Sequence, residues 1–453
     1  MAVMMQAFYW DAPQQEKKEH EWWNNIADHV EALAKSGFNA LWLPPISKAS
    51  DHTSMGYDPY DYWDLGDYDQ KGGIKTLYGN RAELEALIKK AHENGLGLYA
   101  DMVINHNSGA DEEEVNPLDG QTRWTKFEPK SGKFPRDWNC FHPSRYEQVM
   151  MEGENFAGFP HLCHRNPHVY KHMFEYARFI IEELGFDGFR FDFVKGFGAW
   201  MIGLLSKYRY VKDGKEFTPF VVGEMWSGGD DIGAWIDKVN GLTDNQIMAF
   251  DFPLRYQLKD VCDTLNYDLR NLTREGAVVM DRPMHAATFV DNHDMGDNAI
   301  VNDKLLAYSF ILVHEGYPCV FWYDYYNNSL GRGGTPNGID ALIDVHHRYA
   351  GGDSQILHAD PDLYIMQRVG FKSEDPKVDQ PGLIYVLNNL GDKWSGTSVK
   401  TQWPNQKFRP MAWDGHGLYG AVAHPDERTT DADGNAEFPA PPRGYAVYVP
   451  VWD

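Results

Sequence analysis

Gly185-Phe186-Asp187-Gly188-Phe189-Arg190-Phe191-Asp192-Phe193-Val194-Lys195-Gly196 decides how the rest of this chain is read. Phe186, Phe189, Phe191, Phe193 and Val194 are the apolar residues of a buried strand. Arg190, Asp192 and Lys195 are not. A buried carboxylate is costly unless it is paired, and Arg190 lies two residues from Asp192 on the same strand face. Such a cation favours the ionised form of Asp192 at neutral pH. Two readings follow: a structural ion pair that caps a strand, or an ionised nucleophile held at a strand end.

Outward from this stretch, strand and helix signals alternate. Strand-like runs fall at 3–9, 38–43, 97–104, 186–194, 220–223, 246–250, 286–290 and 320–322. Helical periodicity falls at 22–35, 81–93, 168–184, 199–208, 232–239, 255–265, 303–313 and 339–349. Eight strand–helix pairs predict a (β/α)8 TIM barrel. The structural alternative is a doubly wound open sheet, but no G-x-G-x-x-G turn follows the first strand. The expected barrel comprises residues 1–106 and 168–350. Residues 107–167, rich in Gly, Pro, Asp and Asn, exceed the ~12–15 residues of an ordinary loop and read as an inserted subdomain after the third strand. Gly351-Gly352-Asp353 marks a linker. Short alternating runs beyond it predict a C-terminal antiparallel β domain over 351–453. Its Trp394, Trp403 and Trp413 read as core or as a ligand-binding surface.

The 453 residues carry 43% hydrophobic and 14% aromatic side chains, enough for more than one core. The 15 Trp and 25 Tyr exceed the needs of packing, and flat amphipathic rings suit sugar faces. The net charge of −24 argues against nucleic acid or an anionic membrane as partner. No apolar run approaches the ~20 residues of a membrane span. No signal peptide is visible, so either the protein stays in the cell or a leader has been removed. Four cysteines are too few for a disulfide scaffold. A monomer is the default expectation.

In a barrel of this kind chemistry sits where strands end. The third strand leads into Asp101-Met102-Val103-Ile104-Asn105-His106. The fourth supplies Arg190 and Asp192, and the fifth ends at Gly223-Glu224-Met225-Trp226. The seventh ends at Asp291-Asn292-His293-Asp294, and Tyr57 lies in the loop after the second. Two carboxyl groups flanking one bond, one ionised and one protonated, make a glycosidase. Asp192 suits the nucleophile. Glu224 follows an apolar strand, where desolvation favours a general acid. Asp294 is placed to stabilise positive charge on a sugar ring. His106 and His293 suit hydrogen bonds to hydroxyls, and Tyr57 suits stacking.

These motifs, in this order and over essentially the whole chain, resemble the α-amylase family of glycoside hydrolases. Residues 55–72, the segment around Asp192 and Lys195-Gly196, and Asp251-Phe252-Pro253-Leu254 are similar to archaeal and plant-type members. Thr288-Phe289-Val290-Asp291-Asn292-His293-Asp294 is also similar to bacterial maltotetraose-forming amylases. The resemblance implies catalytic Asp192, Glu224 and Asp294, with Tyr57, His106, Arg190, Lys195, Gly196 and His293 binding substrate. It implies retention of configuration, with the carboxyl pair ~5–5.5 Å apart. The expected substrate is starch, glycogen or maltodextrin, cut at internal α-1,4 bonds. An exo-acting maltooligosaccharide-former or a transglycosylase is the alternative within the family. A catalytically dead carbohydrate-binding relative is the alternative outside enzymes.

The resemblance also implies a structural calcium, with Asn105, Glu152, the 161 position and the Gly196 carbonyl as ligands. Here the chain departs: His161 stands where an aspartate is expected. Cys140, His142, Cys163 and His164 offer softer donors that suit zinc. Free thiols or a Cys140–Cys163 disulfide are the other readings of that pair.

Overall fold

The computed structural model describes residues 2–148, 153–156, 158–374, 379–416 and 424–451. Eight strands form a closed barrel: β1 (Met4–Gln6), β2 (Ala40–Leu43), β3 (Gly97–Met102), β4 (Gly188–Phe191), β5 (Phe220–Gly223), β6 (Ile247–Phe250), β7 (Ala286–Phe289) and β8 (Tyr317–Phe321). Each is hydrogen-bonded to its neighbours in sequence, and the ring closes between β1 and β8. The pairings β2–β3, β3–β4, β4–β5, β5–β6 and β7–β8 are parallel. Parallel strands covered on both faces are apolar throughout, and β1, β2, β4, β7 and β8 are buried at every position. The opening stretch lies in this core, with Arg190 wholly buried between Phe189 and Phe191.

The chain divides into two compact units, residues 6–34 with 39–250, and residues 1–5 and 35–38 with 251–453. In the first unit, helix Arg81–Glu93 matches its predicted span. Asn80 accepts from the Glu83 amide while Glu83 reaches back to the Asn80 amide, a capping box. The helix predicted over 168–184 begins at Pro167, capped by Asn166, and its last turn, Phe179–Glu183, is a π-helix. The inserted segment carries a two-stranded ribbon, Glu112–Val115 with Thr122–Lys126, that periodicity alone did not reveal. Its exposed charged residues carry no alternating apolar signal.

In the second unit, the helix predicted from 255 starts at Phe252. Asp251 accepts from the Leu254 amide and Pro253 occupies the first turn, where a missing N–H costs nothing. Beyond the barrel lies a six-stranded sheet of β9 (Ser354–Ala359), β10 (Leu363–Arg368), β11 (Leu383–Asn388), β13 (Lys407–Asp414), β14 (Arg428–Thr429) and β16 (Gly444–Pro450). A second pair is β12 (Ser395–Lys400) with β15 (Asn435–Ala440). Strands β9, β13, β14 and β15 were missed from sequence. β9 is half exposed, β14 is two residues long, and Pro410 and Pro439 interrupt β13 and β15; β13 bulges between Pro410 and Ala412. Trp403 packs on Phe408 within this core, and Trp413 lies against it. Trp394 is partly exposed.

Candidate active site

Arg190 is the hub of the first unit's strand ends. Its Nη1 donates to Asp101 at 2.8 Å and to Asp192 at 2.9 Å, and its Nη2 pairs with Glu224 Oε1 at 2.9 Å. One guanidinium therefore holds carboxylates from the ends of β3, β4 and β5. Burial lowers the pKa of Arg190, but Asp101, Glu224 and Asp192 together raise it well above its ordinary value. Asp101 is pushed up by burial, to about 6, against the pull of Arg190, Tyr57 and Trp42. It is charged at neutral pH. Glu224 Oε2 accepts from the Phe193 amide at 3.0 Å. The desolvation expected for Glu224 after an apolar strand is thus met by a cation and an amide, because β5 lies beside β4 and brings Glu224 alongside Arg190.

Aromatic rings complete this cluster. Arg190 lies over the rings of Trp42, at 4.9 Å, and Tyr57, at 5.9 Å. Trp42 Nε1 and Tyr57 Oη both donate to Asp101, at 3.0 and 2.8 Å. Trp10 stacks on Tyr57, so one face of the ring expected to meet a sugar is already covered. Asp101, Trp42 and Trp10 were not singled out from sequence. Asp101 stood in the polar strand end quoted above, and that was its only signal. Both nitrogens of His106 are engaged: Nε2 donates to the Tyr57 carbonyl at 2.8 Å and Nδ1 accepts from Asn105 Nδ2 at 3.1 Å. Burial lowers its pKa to about 4, so it is neutral. Lys195 pairs with Glu154 at 3.1 Å and reaches the Trp226 carbonyl at 3.4 Å.

In the second unit, His293 is buried and its Nε2 lies 3.1 Å from Asp294 Oδ2. The Asp294 amide donates to Asn292 Oδ1, which turns the chain just after β7. Asp291, one position before Asn292, serves otherwise. It pairs with Arg255 at 2.6 Å and Lys304 at 2.8 Å, and Lys304 also meets Asp324 at 2.5 Å.

Of the expected calcium ligands, Glu152 lies outside the described residues. Asn105 Oδ1 is buried without a hydrogen-bond partner, and a Cβ at Gly196 would lie 2.4 Å from it. His161 Nε2 meets both the Phe156 amide, at 2.7 Å, and the Phe156 carbonyl, at 3.1 Å, so that nitrogen is engaged by the backbone. Calcium takes about six to eight oxygens; of the expected set, the described residues supply the Asn105 amide and the Gly196 carbonyl and no carboxylate.

The softer donors are rearranged from the expected set. All four cysteines are free. Cys140 Sγ donates to Asp137, and burial pushes its thiol up to about 12. His164 Nε2 donates to the Ile104 carbonyl at 2.9 Å. Neither joins a ligand cluster among the described residues. His142, Glu147 and Cys163 do, with ligand atoms all within 4.8 Å of one another. Glu147 was missed because its carboxylate is one of many along an acidic chain.

Paired carboxyl groups at the C-terminal strand ends of a (β/α)8 barrel define a glycosidase-type centre. The chain belongs to the alpha-amylase family: residues 16–321 match the family's catalytic domain and residues 383–449 its C-terminal domain. It is 32% identical to an alpha-amylase of Bacillus licheniformis, over 75% of this chain and 73% of that one. It is 29% identical to a cytoplasmic alpha-amylase of Escherichia coli K12, over 96% of each. It is 31% identical to a glucan 1,4-alpha-maltohexaosidase of Bacillus sp. strain 707, over 77% of this chain and 76% of that one. Among solved structures, an alpha-amylase of Geobacillus thermoleovorans complexed with acarbose shares the fold. Its TM-score is 0.66 at 19% identity, covering 95% of this chain and 92% of that one.

Proposed function

We propose that this protein hydrolyses internal α-1,4-glucosidic bonds of starch, glycogen and maltodextrins with retention of configuration. The observation that carries this reading is that Arg190 holds Asp192 and Glu224 at the ends of adjacent strands. Asp192 attacks the anomeric carbon while Glu224 gives a proton to the glycosidic oxygen. The C–O bond breaks, the shortened glucan leaves, and a glycosyl ester forms on Asp192. Glu224, now a carboxylate, takes a proton from water, and that water opens the ester. Asp294 offsets the charge that develops on the ring. Arg190 orients both carboxylates, Asp101 fixes Arg190, and Tyr57, His106, His293, Lys195 and Gly196 line the sugar sites.

Two measurements test this. Proton NMR of the first product formed from maltoheptaose is expected to show the α-anomer, and the β-anomer would overturn the retaining mechanism. Cleavage of an end-blocked maltooligosaccharide is expected. Its resistance, with one dominant short product from unblocked starch, would favour the exo-acting reading, which the 31% identity to a maltohexaosidase supports.

His142, Glu147 and Cys163 would hold a zinc-class ion, which would brace the inserted segment. The His142 Nδ1–H points to the Glu147 carbonyl at 3.4 Å, an arrangement that leaves Nε2 as the donor atom. Cobalt(II) bound there is expected to show a thiolate charge-transfer band that Cys163→Ser abolishes and Cys140→Ser keeps.

A further inference from the structure

Phe193, the residue after Asp192, has a left-handed backbone, at φ 43° and ψ 52°. A bulky L-residue rarely adopts that conformation, because its Cβ crowds the backbone. Such strain persists only where the surroundings enforce it, and it gathers at functional sites.

The turn has a geometric consequence. In an extended strand, successive N–H groups point to opposite sides. At Phe193 the left-handed backbone brings two successive amides onto one residue. The Phe193 amide donates to Glu224 Oε2 at 3.0 Å, and the Val194 amide to the Glu224 carbonyl at 3.3 Å. The Glu224 amide in turn donates to the Phe191 carbonyl at 2.9 Å. Residues 191–194, which include Asp192, therefore grip Glu224 at its amide, its carbonyl and its carboxylate. Arg190 holds the other carboxylate oxygen.

The strained residue is itself held from two sides. Its ring packs edge-on against Phe156 at 5.0 Å, and the Phe156 ring stacks on His106 at 4.6 Å. Its carbonyl accepts from the Gly196 amide at 2.9 Å, which closes the short turn Val194–Gly196. A Cβ at Gly196 would lie 2.5 Å from Phe193 Cδ1, so the turn closes only over glycine.

We propose that Phe193 is a positioning residue whose left-handed turn sets Glu224 against Asp192, so that one element places both the proton donor and the nucleophile. The proposal rests on the hydrolytic reading above, in which Glu224 protonates the glycosidic oxygen.

The test separates the backbone from the ring. Phe193→Asn, Phe193→Ala and Phe193→Val all lose the ring. Asn tolerates the left-handed region, Ala does so less well, and the β-branched Val least. On soluble starch, kcat is expected to fall about threefold for Asn, about tenfold for Ala and about 10²-fold for Val. KM should stay within about twofold throughout. α-Maltosyl fluoride with azide bypasses Glu224: fluoride leaves without a proton, and azide opens the glycosyl ester without a base. On it the loss in Phe193→Val should shrink to below about tenfold. The ratio of the two rates does not depend on the folded fraction, so a poorly folding variant still reports. If Phe193→Val does not fold at all, the order of Asn over Ala decides. Asn no better than Ala, or equal losses on starch and on the fluoride, would overturn the role of the turn. The two readings fail separately. A wild type inert on both substrates removes the α-glucan reading itself, whereas an active wild type with Asn no better than Ala removes the turn alone.

Discussion

Two buried arginines, Arg190 on a barrel strand and Arg255 in the first turn of a helix, do opposite things. Arg190 faces three carboxylates with one positive charge, and two of the three, Asp192 and Glu224, keep 11% and 7% of their side chains exposed. Arg255 shares Asp291 with Lys304, and Lys304 shares Asp324: two cations, two anions, the carboxylates at 1% and 0% exposure. The balanced cluster has every charge answered. The unbalanced one carries surplus negative charge, where on the proposed mechanism positive charge forms as a glycosidic bond breaks. Charge imbalance, rather than the presence of buried charge, separates the proposed chemical centre from the brace.

Substitutions should separate the two clusters cleanly. Glu224→Gln is expected to lower kcat on soluble starch by about 10²–10⁴-fold while the melting temperature hardly moves. A variant that loses activity only by unfolding would undo the contrast. Asp291→Asn should do the reverse. Leaving Arg255 and Lys304 without their shared partner costs about 3–5 kcal/mol, read as a fall in the urea midpoint, with kcat of the folded fraction near wild type.

Asp101 sharpens the comparison through pH. Burial raises its folded-state pKa to about 6, above the ordinary carboxylate range near 4. The stability tied to this group is therefore fully present below about pH 4 and lost as pH rises through about 6. On acidification from pH 7 to pH 4, the melting temperature of the wild type should gain on that of Asp101→Asn. Activity should run the other way. Protonating Asp101 removes one of the three anions that fix Arg190, so kcat/KM should fall below about pH 6, and Asp101→Asn should lack that acid limb.

The smallest expected effect concerns calcium. Added CaCl2 should leave the wild-type melting temperature unchanged, because an imidazole, its Nε2 engaged by the Phe156 backbone, stands where a carboxylate would bind. In His161→Asp, calcium at about 100 times its dissociation constant should add about 2.7 kcal/mol, a shift of a few degrees. A wild type that gains as much would show that the Gly196 junction takes calcium despite His161.

The barrel was legible because its strands are short and apolar and alternate with helical runs, and because the helices between them carry caps such as Asn80 and Asp251. The strands broken by Pro410 and Pro439 were not, since proline erases the local signal while the ladder tolerates it at bulges and pair edges. The candidate site was legible in part. Asp192, Glu224 and Arg190 announced themselves as charges at strand ends, and Asp101 stood at another strand end without being given a role. Trp10 and Trp42 gave no signal, for each is an unremarkable residue in its own segment.

By itself, then, the sequence determined which residues bear charge at which strand ends, and hence the class of chemistry. Local hydrophobicity and spacing suffice for that. Only the tertiary structure decided who meets whom. It gave Glu224 a guanidinium and His106 a carbonyl partner. It withdrew Cys140 and His164 from a soft-ligand cluster and supplied Glu147 instead. Those outcomes depend on strand adjacency and on the folding of the inserted segment, where distances between residues far apart in sequence are set by backbone pairing rather than by pattern.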